Sequence, residues 1–126
     1  MSFADAKPMI FVNVPDRAAG QGFYRDLLGL DLAHSDEFGD MYDLGGAFLR
    51  VTPMPNHQPS PHPVLGFDLI DIREGVRTLR DKGVTFTIYD GMGQDADGVW
   101  SAADGSAKVA WFNDPFGNVL SLSQVR

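Results

Sequence analysis

The chain contains no cysteine. That excludes disulfides, thiolate nucleophiles, iron–sulfur clusters and zinc sites built on thiolates. Basic residues are scarce: 10 Lys and Arg stand against 17 Asp and Glu, for a formal net charge of −7. This balance does not supply the cationic surface that a phosphate backbone demands, so no nucleic-acid partner is expected. No apolar run approaches the ~18–20 residues of a membrane span, so no membrane partner is expected either. Residues 1–8 lack a basic stretch followed by an apolar core and do not read as a secretion signal. A soluble, cytoplasmic protein is the expectation. The rest of the composition is ordinary for a globular chain of 126 residues, with 44% hydrophobic and 21% charged residues. A chain of that size buries roughly two thirds of its unfolded surface and needs no covalent staples.

Residues 9–14, Met-Ile-Phe-Val-Asn-Val, are apolar and β-branched between Pro8 and Pro15 and predict a strand. Asp16 suits a helix N-cap, and Ala19, Phe23 and Leu27 recur every fourth residue with Tyr24 and Leu28 beside them. Gly29 supplies a C-cap. Gly20 and Gly22 each weaken this helix by roughly 1 kcal/mol relative to alanine, so its apolar face must hold it. Short strands are predicted over 30–35, 41–44 and 47–52, with turns at 36–40 and Gly45-Gly46. Five prolines from Pro53 to Pro63 make a stiff, extended linker.

The order then repeats. A strand is predicted over 64–70, followed by a helix with Asp71 as cap, Ile72, Val76 and Leu79 on one face and Gly83 at its end. A strand over 84–89, a Gly- and Asp-rich loop over 90–98 that reads as a mobile flap, a ribbon at 99–102, a strand over 108–112, a turn at 114–118 and a strand over 119–123 complete the chain. Each half reads strand–helix–strand–strand–strand. A duplication is expected, with modules at 8–54 and 64–126 joined by a linker at 55–63.

Alternation separates two faces of the predicted strands. One is aliphatic and suits the packing of helices: Ile10, Val12, Val14, Leu49, Val51, Leu65, Phe67, Leu69, Leu120 and Leu122. The other is mixed: Met9, Phe11, Asn13, Phe48, Arg50, Thr52, Val64, Gly66, Asp68, Val119, Ser121 and Ser123. A small-molecule cup has such a face, and so does a solvated antiparallel sheet. Both readings stay open at this point.

The helix end Phe23-Tyr24-Arg25-Asp26-Leu27-Leu28-Gly29-Leu30 and the run from Trp111 through Asp114-Pro115-Phe116-Gly117-Asn118 to Leu122 resemble the vicinal oxygen chelate superfamily. That group holds glyoxalase I, the bleomycin-resistance proteins and the extradiol dioxygenases. The likeness spans residues 8–124. It implies an α+β fold of two βαβββ modules, forming curled mixed sheets around a cleft with helices on the outer face, and a homodimer. In glyoxalase-like members four His, Glu or Gln ligands hold a metal, one from the first and last strand of each module. The matching positions here are Met9, Arg50, Val64 and Ser121. None is a usual ligand for a divalent ion, and Arg50 brings a permanent positive charge. The resemblance therefore implies a metal-free branch with no cofactor and a small-molecule ligand.

Arg50 reads either as an anchor for an anion or as the partner of Asp68 on the same type of face. Around it the candidate ligand-binding set is Asn13, Phe11, Phe48, Asp68, Trp111 and Ser121. The aromatics Phe11, Phe48, Trp100, Trp111, Tyr42 and Tyr89 either stack on a planar ligand or pack in the core, and parity does not fix the side that Trp111 faces. Ser121 and Ser123 offer hydroxyls without a base in nucleophile order. His34, His57 and His62 show no metal spacing, and a shifted site from His62 with Glu37 or Asp40 is the remaining metal reading. The Gly-x-Gly at 91–93 lacks the third glycine and following helix of a dinucleotide site. Three functions follow: metal-free binding of an anionic or polar aromatic molecule, a lyase, isomerase or dioxygenase-type enzyme with a divalent metal at unusual positions, and a non-catalytic dimeric interaction protein.

Overall fold

The structure, a computed structural model, describes all 126 residues. The chain forms two compact units, residues 1–59 and 60–126. The fold is α+β, with one four-stranded mixed sheet in each unit. No helix is long and apolar enough to cross a membrane.

In the first unit, β1 (Met9–Val14) leads to α1 (Arg17–Gln21), a π-helical continuation (Gly22–Leu27), β2 (Asp31–Asp36), β3 (Gly39–Asp43) and β4 (Phe48–Pro53). The spatial order is β1-β4-β3-β2, with β1 parallel to β4 and the others antiparallel. The Asp16 side chain caps α1 by accepting from the Ala19 N–H at 2.8 Å. The predicted single helix changes register after Gln21: Leu28 N–H bonds to the Phe23 carbonyl five residues back, at 2.9 Å. This wider turn keeps Phe23 and Tyr24 together in the core, at 4% and 0% exposure. Gly20 is buried here for a steric reason. A Cβ on it would lie 2.9 Å from the Val14 side chain, so its absence lets α1 rest on β1 and offsets the loss of helix propensity.

In the second unit, β5 (Pro63–Asp68) leads to α2 (Ile72–Asp81), β6 (Trp100–Ser101), β7 (Ala107–Asn113) and β8 (Val119–Val125), in the order β5-β8-β7-β6. Asp71 caps α2 through the Arg73 and Glu74 N–H groups, and Ile72, Val76 and Leu79 are buried as their spacing predicts. Gly75 repeats the device of Gly20, since a Cβ there would collide with the Leu69 side chain. The aliphatic face is where alternation put it: Leu65, Leu120 and Leu122 are buried, as are Val12, Val14, Leu49 and Val51 in the first unit. Burial of each such side chain contributes about 1.5–3 kcal/mol.

Three expectations need correction. Residues 84–89 do not form a strand. Only Phe86 pairs, with Phe112 on β7. Beyond it the Gln94 side chain takes over the backbone groups of the segment, accepting from Tyr89 N–H at 2.7 Å and donating to the Thr87 and Gly98 carbonyls at 2.9 and 2.8 Å. Polar side chains that satisfy backbone groups in this way compete with ladder pairing. The loop over 90–98 is also held rather than free along its second half: Arg73 and Arg80 on α2 form ion pairs with Asp95 and Asp97. Finally, the regular alternation expected through Val64 is interrupted. The β5–β8 register shifts between Pro63 and Leu65, so Val119 pairs with Pro63 and is buried.

The Asp114-Pro115-Phe116-Gly117-Asn118 run is a self-contained turn. The Asp114 carboxylate is 3% exposed and accepts from the Phe116 and Asn118 backbone N–H groups and the Asn118 side-chain amide, at 2.7–2.9 Å. These bonds satisfy the buried polar groups that a tight β7–β8 connection leaves.

Candidate functional site

On the first sheet, the face away from α1 carries cross-strand rows fixed by register. One row is Phe11, Arg50, Met41 and His34; the next holds Met9, Phe48 and Asp43. Asn13 sits opposite Thr52 on the same face. Four of the sequence-predicted residues, Arg50, Asn13, Phe11 and Phe48, therefore share one open face. Phe11 is 65% exposed there, and the Lys7 ammonium lies 4.5 Å from the centre of the Phe48 ring.

Arg50 has a partner within its own sheet, Asp36. Its Nη2 donates to both carboxylate oxygens of Asp36, at 2.7 and 3.0 Å. Both bonds come from one guanidinium nitrogen, so Asp36 leaves Nε and Nη1 outside this pairing. Asp36 also accepts from the Phe38 and Gly39 N–H groups of the β2–β3 turn. The Arg50 guanidinium, and then the Phe38 N–H, hold its carboxyl below the usual carboxylate range. A folded-state value below the unfolded one means that this group stabilises the fold above the ordinary Asp range, and that its contribution is lost as pH falls through the depressed value. In an NMR titration, the Asp36 carboxyl midpoint is expected below the ordinary Asp value and moves back up in Arg50→Ala. An unchanged midpoint in the variant would show that Arg50 is not its main partner.

Asp36 was not legible as a site residue. It lies beside Glu37 and Asp40 in a stretch that reads as a turn, and only the pairing of β2, β3 and β4 brings it to Arg50, 14 residues on. Asp40 was legible only as a spare metal ligand, and the structure gives its carboxylate other work. It is 2% exposed and accepts from Arg17 Nη1 at 2.6 Å, Gln21 Nε2 at 2.9 Å and Ser35 Oγ at 2.6 Å. Tyr42 is likewise not a stacking surface. It is fully buried, and burial, with the Asp40 carboxylate nearby, pushes its hydroxyl up to about 12.

On the second sheet, the face away from α2 holds the row Gly66, Ser121 and Trp111 and the row Asp68, Ser123, Val109 and Trp100. The side that Trp111 faces is thereby fixed. Asp68 is turned to the chain end: it accepts from Ser123 Oγ, the Val125 N–H and the Arg126 guanidinium, and Ser123 foremost holds its carboxyl below the usual range.

The four positions matching the metal ligands of the superfamily offer a thioether (Met9), a guanidinium (Arg50), an isopropyl group (Val64) and a neutral hydroxyl (Ser121). This donor set does not fit a divalent ion, which takes imidazole, carboxylate or thiolate and is repelled by a guanidinium. Nowhere in the chain do three or more His, Asp or Glu side chains converge to hold a metal.

Comparison with known proteins fits this architecture. Among solved structures, a protein assigned to the glyoxalase family from Bacillus anthracis superposes with a TM-score of 0.75 at 15% identity, covering 100% of this chain and 99% of the other. A lactoylglutathione lyase from Agrobacterium tumefaciens gives 0.70 at 16% identity, covering 94% and 92%. A fosfomycin resistance protein from Listeria monocytogenes gives 0.72 at 12% identity, covering 94% and 91%. At these identities the likeness speaks for the fold. Among curated proteins none matches. The family model described as Glyoxalase/Bleomycin resistance protein/Dioxygenase superfamily matches residues 8–122, nearly the whole chain, and the protein therefore belongs to that superfamily.

Proposed function

We propose that this protein binds a small anionic or polar aromatic molecule on its open sheet faces, without a divalent metal, and that it does so as a homodimer. The observation that carries the reading is the state of Arg50: a half-buried guanidinium on an open face, flanked by the exposed ring of Phe11, with Asp36 engaging a single nitrogen. A carboxylate approaching that face meets the Nε and Nη1 edge, and charge-assisted hydrogen bonds of this kind are roughly twice as strong as neutral ones. Phe11 and Phe48 supply apolar contact for the body of the ligand, and Asn13 a further polar group. The donor chemistry at Met9, Arg50, Val64 and Ser121 supports metal independence.

Calorimetric titration with matched panels of aromatic carboxylates and aromatic amines tests this. Carboxylates are expected to bind and the amines not. Binding confined to the cations would contradict the role given to Arg50. Sedimentation of the same samples is expected to give a dimer; a monomer at the concentrations that bind ligand would remove the homodimer from the proposal.

A further inference from the structure

Both tryptophans of the chain and its only tyrosine outside the core lie together on the open face of the second sheet. Trp111 stands in the row of Ser121 and Gly66, and Trp100 in the neighbouring row, across from Val109. Tyr89 meets Trp111 edge to face, with ring centres 5.6 Å apart and planes at 81°. The other two tyrosines, Tyr24 and Tyr42, are fully buried. Tyr89 is 37% exposed, and Trp100 and Trp111 are half-buried.

Neither indole N–H, nor the Tyr89 hydroxyl, nor the Ser121 hydroxyl has a protein partner. Half-buried indoles and phenols normally find one. The Ser121 hydroxyl lies over Gly66, where a Cβ would sit 2.6 Å from its Oγ. Tyr89 is set in place from behind by Gln94, whose side-chain carbonyl accepts the Tyr89 N–H.

We infer that this cluster is a binding site for a planar aromatic ring carrying acceptor oxygens, such as an aryl carbonyl compound. Trp111, Trp100 and Tyr89 supply the ring surface. Two indole N–H groups and two hydroxyls, all able to donate and none engaged, select a ligand edge that accepts. The site does not use Arg50, so it takes neutral rings as well as anions. It rests on the small-molecule reading above and names the aromatic half of it.

The test uses two neutral probes that differ only in the ring, benzamide and cyclohexanecarboxamide. The two indole N–H cross-peaks of the isotope-labelled protein are followed by NMR. Benzamide is expected to shift both peaks saturably, with an affinity about tenfold or more above that of the non-planar amide. Gly66→Ala and Tyr89→Ala are expected to weaken benzamide severalfold with the far-UV spectrum unchanged, and Arg77→Ala, at an exposed position of α2, to leave it unaltered. Non-saturable shifts, equal binding of the two amides, or indole peaks that move with protein concentration alone would overturn the inference, the last by placing a second copy on this face. Benzoate distinguishes the two proposals. If benzoate weakens in Arg50→Ala while benzamide leaves the indoles unmoved, the aromatic site fails and the anion site stands. If benzamide binds and benzoate is indifferent to Arg50, the reverse holds.

Discussion

Asp40→Ala is expected to lower the unfolding free energy by about 3 kcal/mol, at the lower end of the ~3–5 kcal/mol that follows when one member of a buried ion pair is removed. Three donors lose their acceptor at once: Arg17, Gln21 and Ser35. The lower end applies because the Arg17 side chain remains 33% exposed and water can reach it. In urea the midpoint falls while the slope stays the same. Asp40→Asn, which keeps the shape and an acceptor oxygen, is expected to cost less. The consequence reaches the open face, because Arg17 also donates to the Asp36 carbonyl at 2.6 Å. Arg17 thus ties α1 to the β2–β3 turn that presents the Asp36 carboxylate to Arg50. A loss below about 1 kcal/mol in Asp40→Ala would show that the network does not hold this corner.

Arg50→Ala is expected to weaken aromatic carboxylates by about 10- to 100-fold, since a hydrogen bond to a charged group contributes about 1.5–3 kcal/mol. Neutral ligands of the same shape should be unaffected. Arg50→Lys keeps the charge but loses the planar fork, and recovers only part of the affinity. Asp36→Asn acts in the opposite direction: it removes the carboxylate that repels an incoming anion, and affinity rises. Stability should change little in any of the three variants, because solvent-facing ion pairs contribute little to folding. Titration calorimetry on the four proteins checks the series. Equal affinities across it would remove Arg50 from the site.

The fold was legible because period-two alternation leaves its mark on single strands. Val12, Val14, Leu49, Val51, Leu65, Leu120 and Leu122 fall on the buried face that alternation assigns them. Properties that depend on pairing between strands were not legible. Arg50 finds Asp36 because β2, β3 and β4 are side by side and Asp36 ends β2. The bulge at Val64 and the side that Trp111 faces are likewise matters of register. The strand expected over 84–89 fails because Gln94, outside the pattern, satisfies its backbone groups. The Asp114–Asn118 signature was readable as a family mark, and its hydrogen bonds show why it marks the fold: the motif builds the tight turn between β7 and β8.

We propose that Arg50, at one of the positions where relatives grip a cation, receives an anion instead. Elemental analysis of protein purified without chelator tests it most directly. The account predicts substoichiometric nickel, zinc, iron and manganese, with carboxylate binding untouched by EDTA. One transition ion per chain, lost together with ligand binding on chelation, would contradict it.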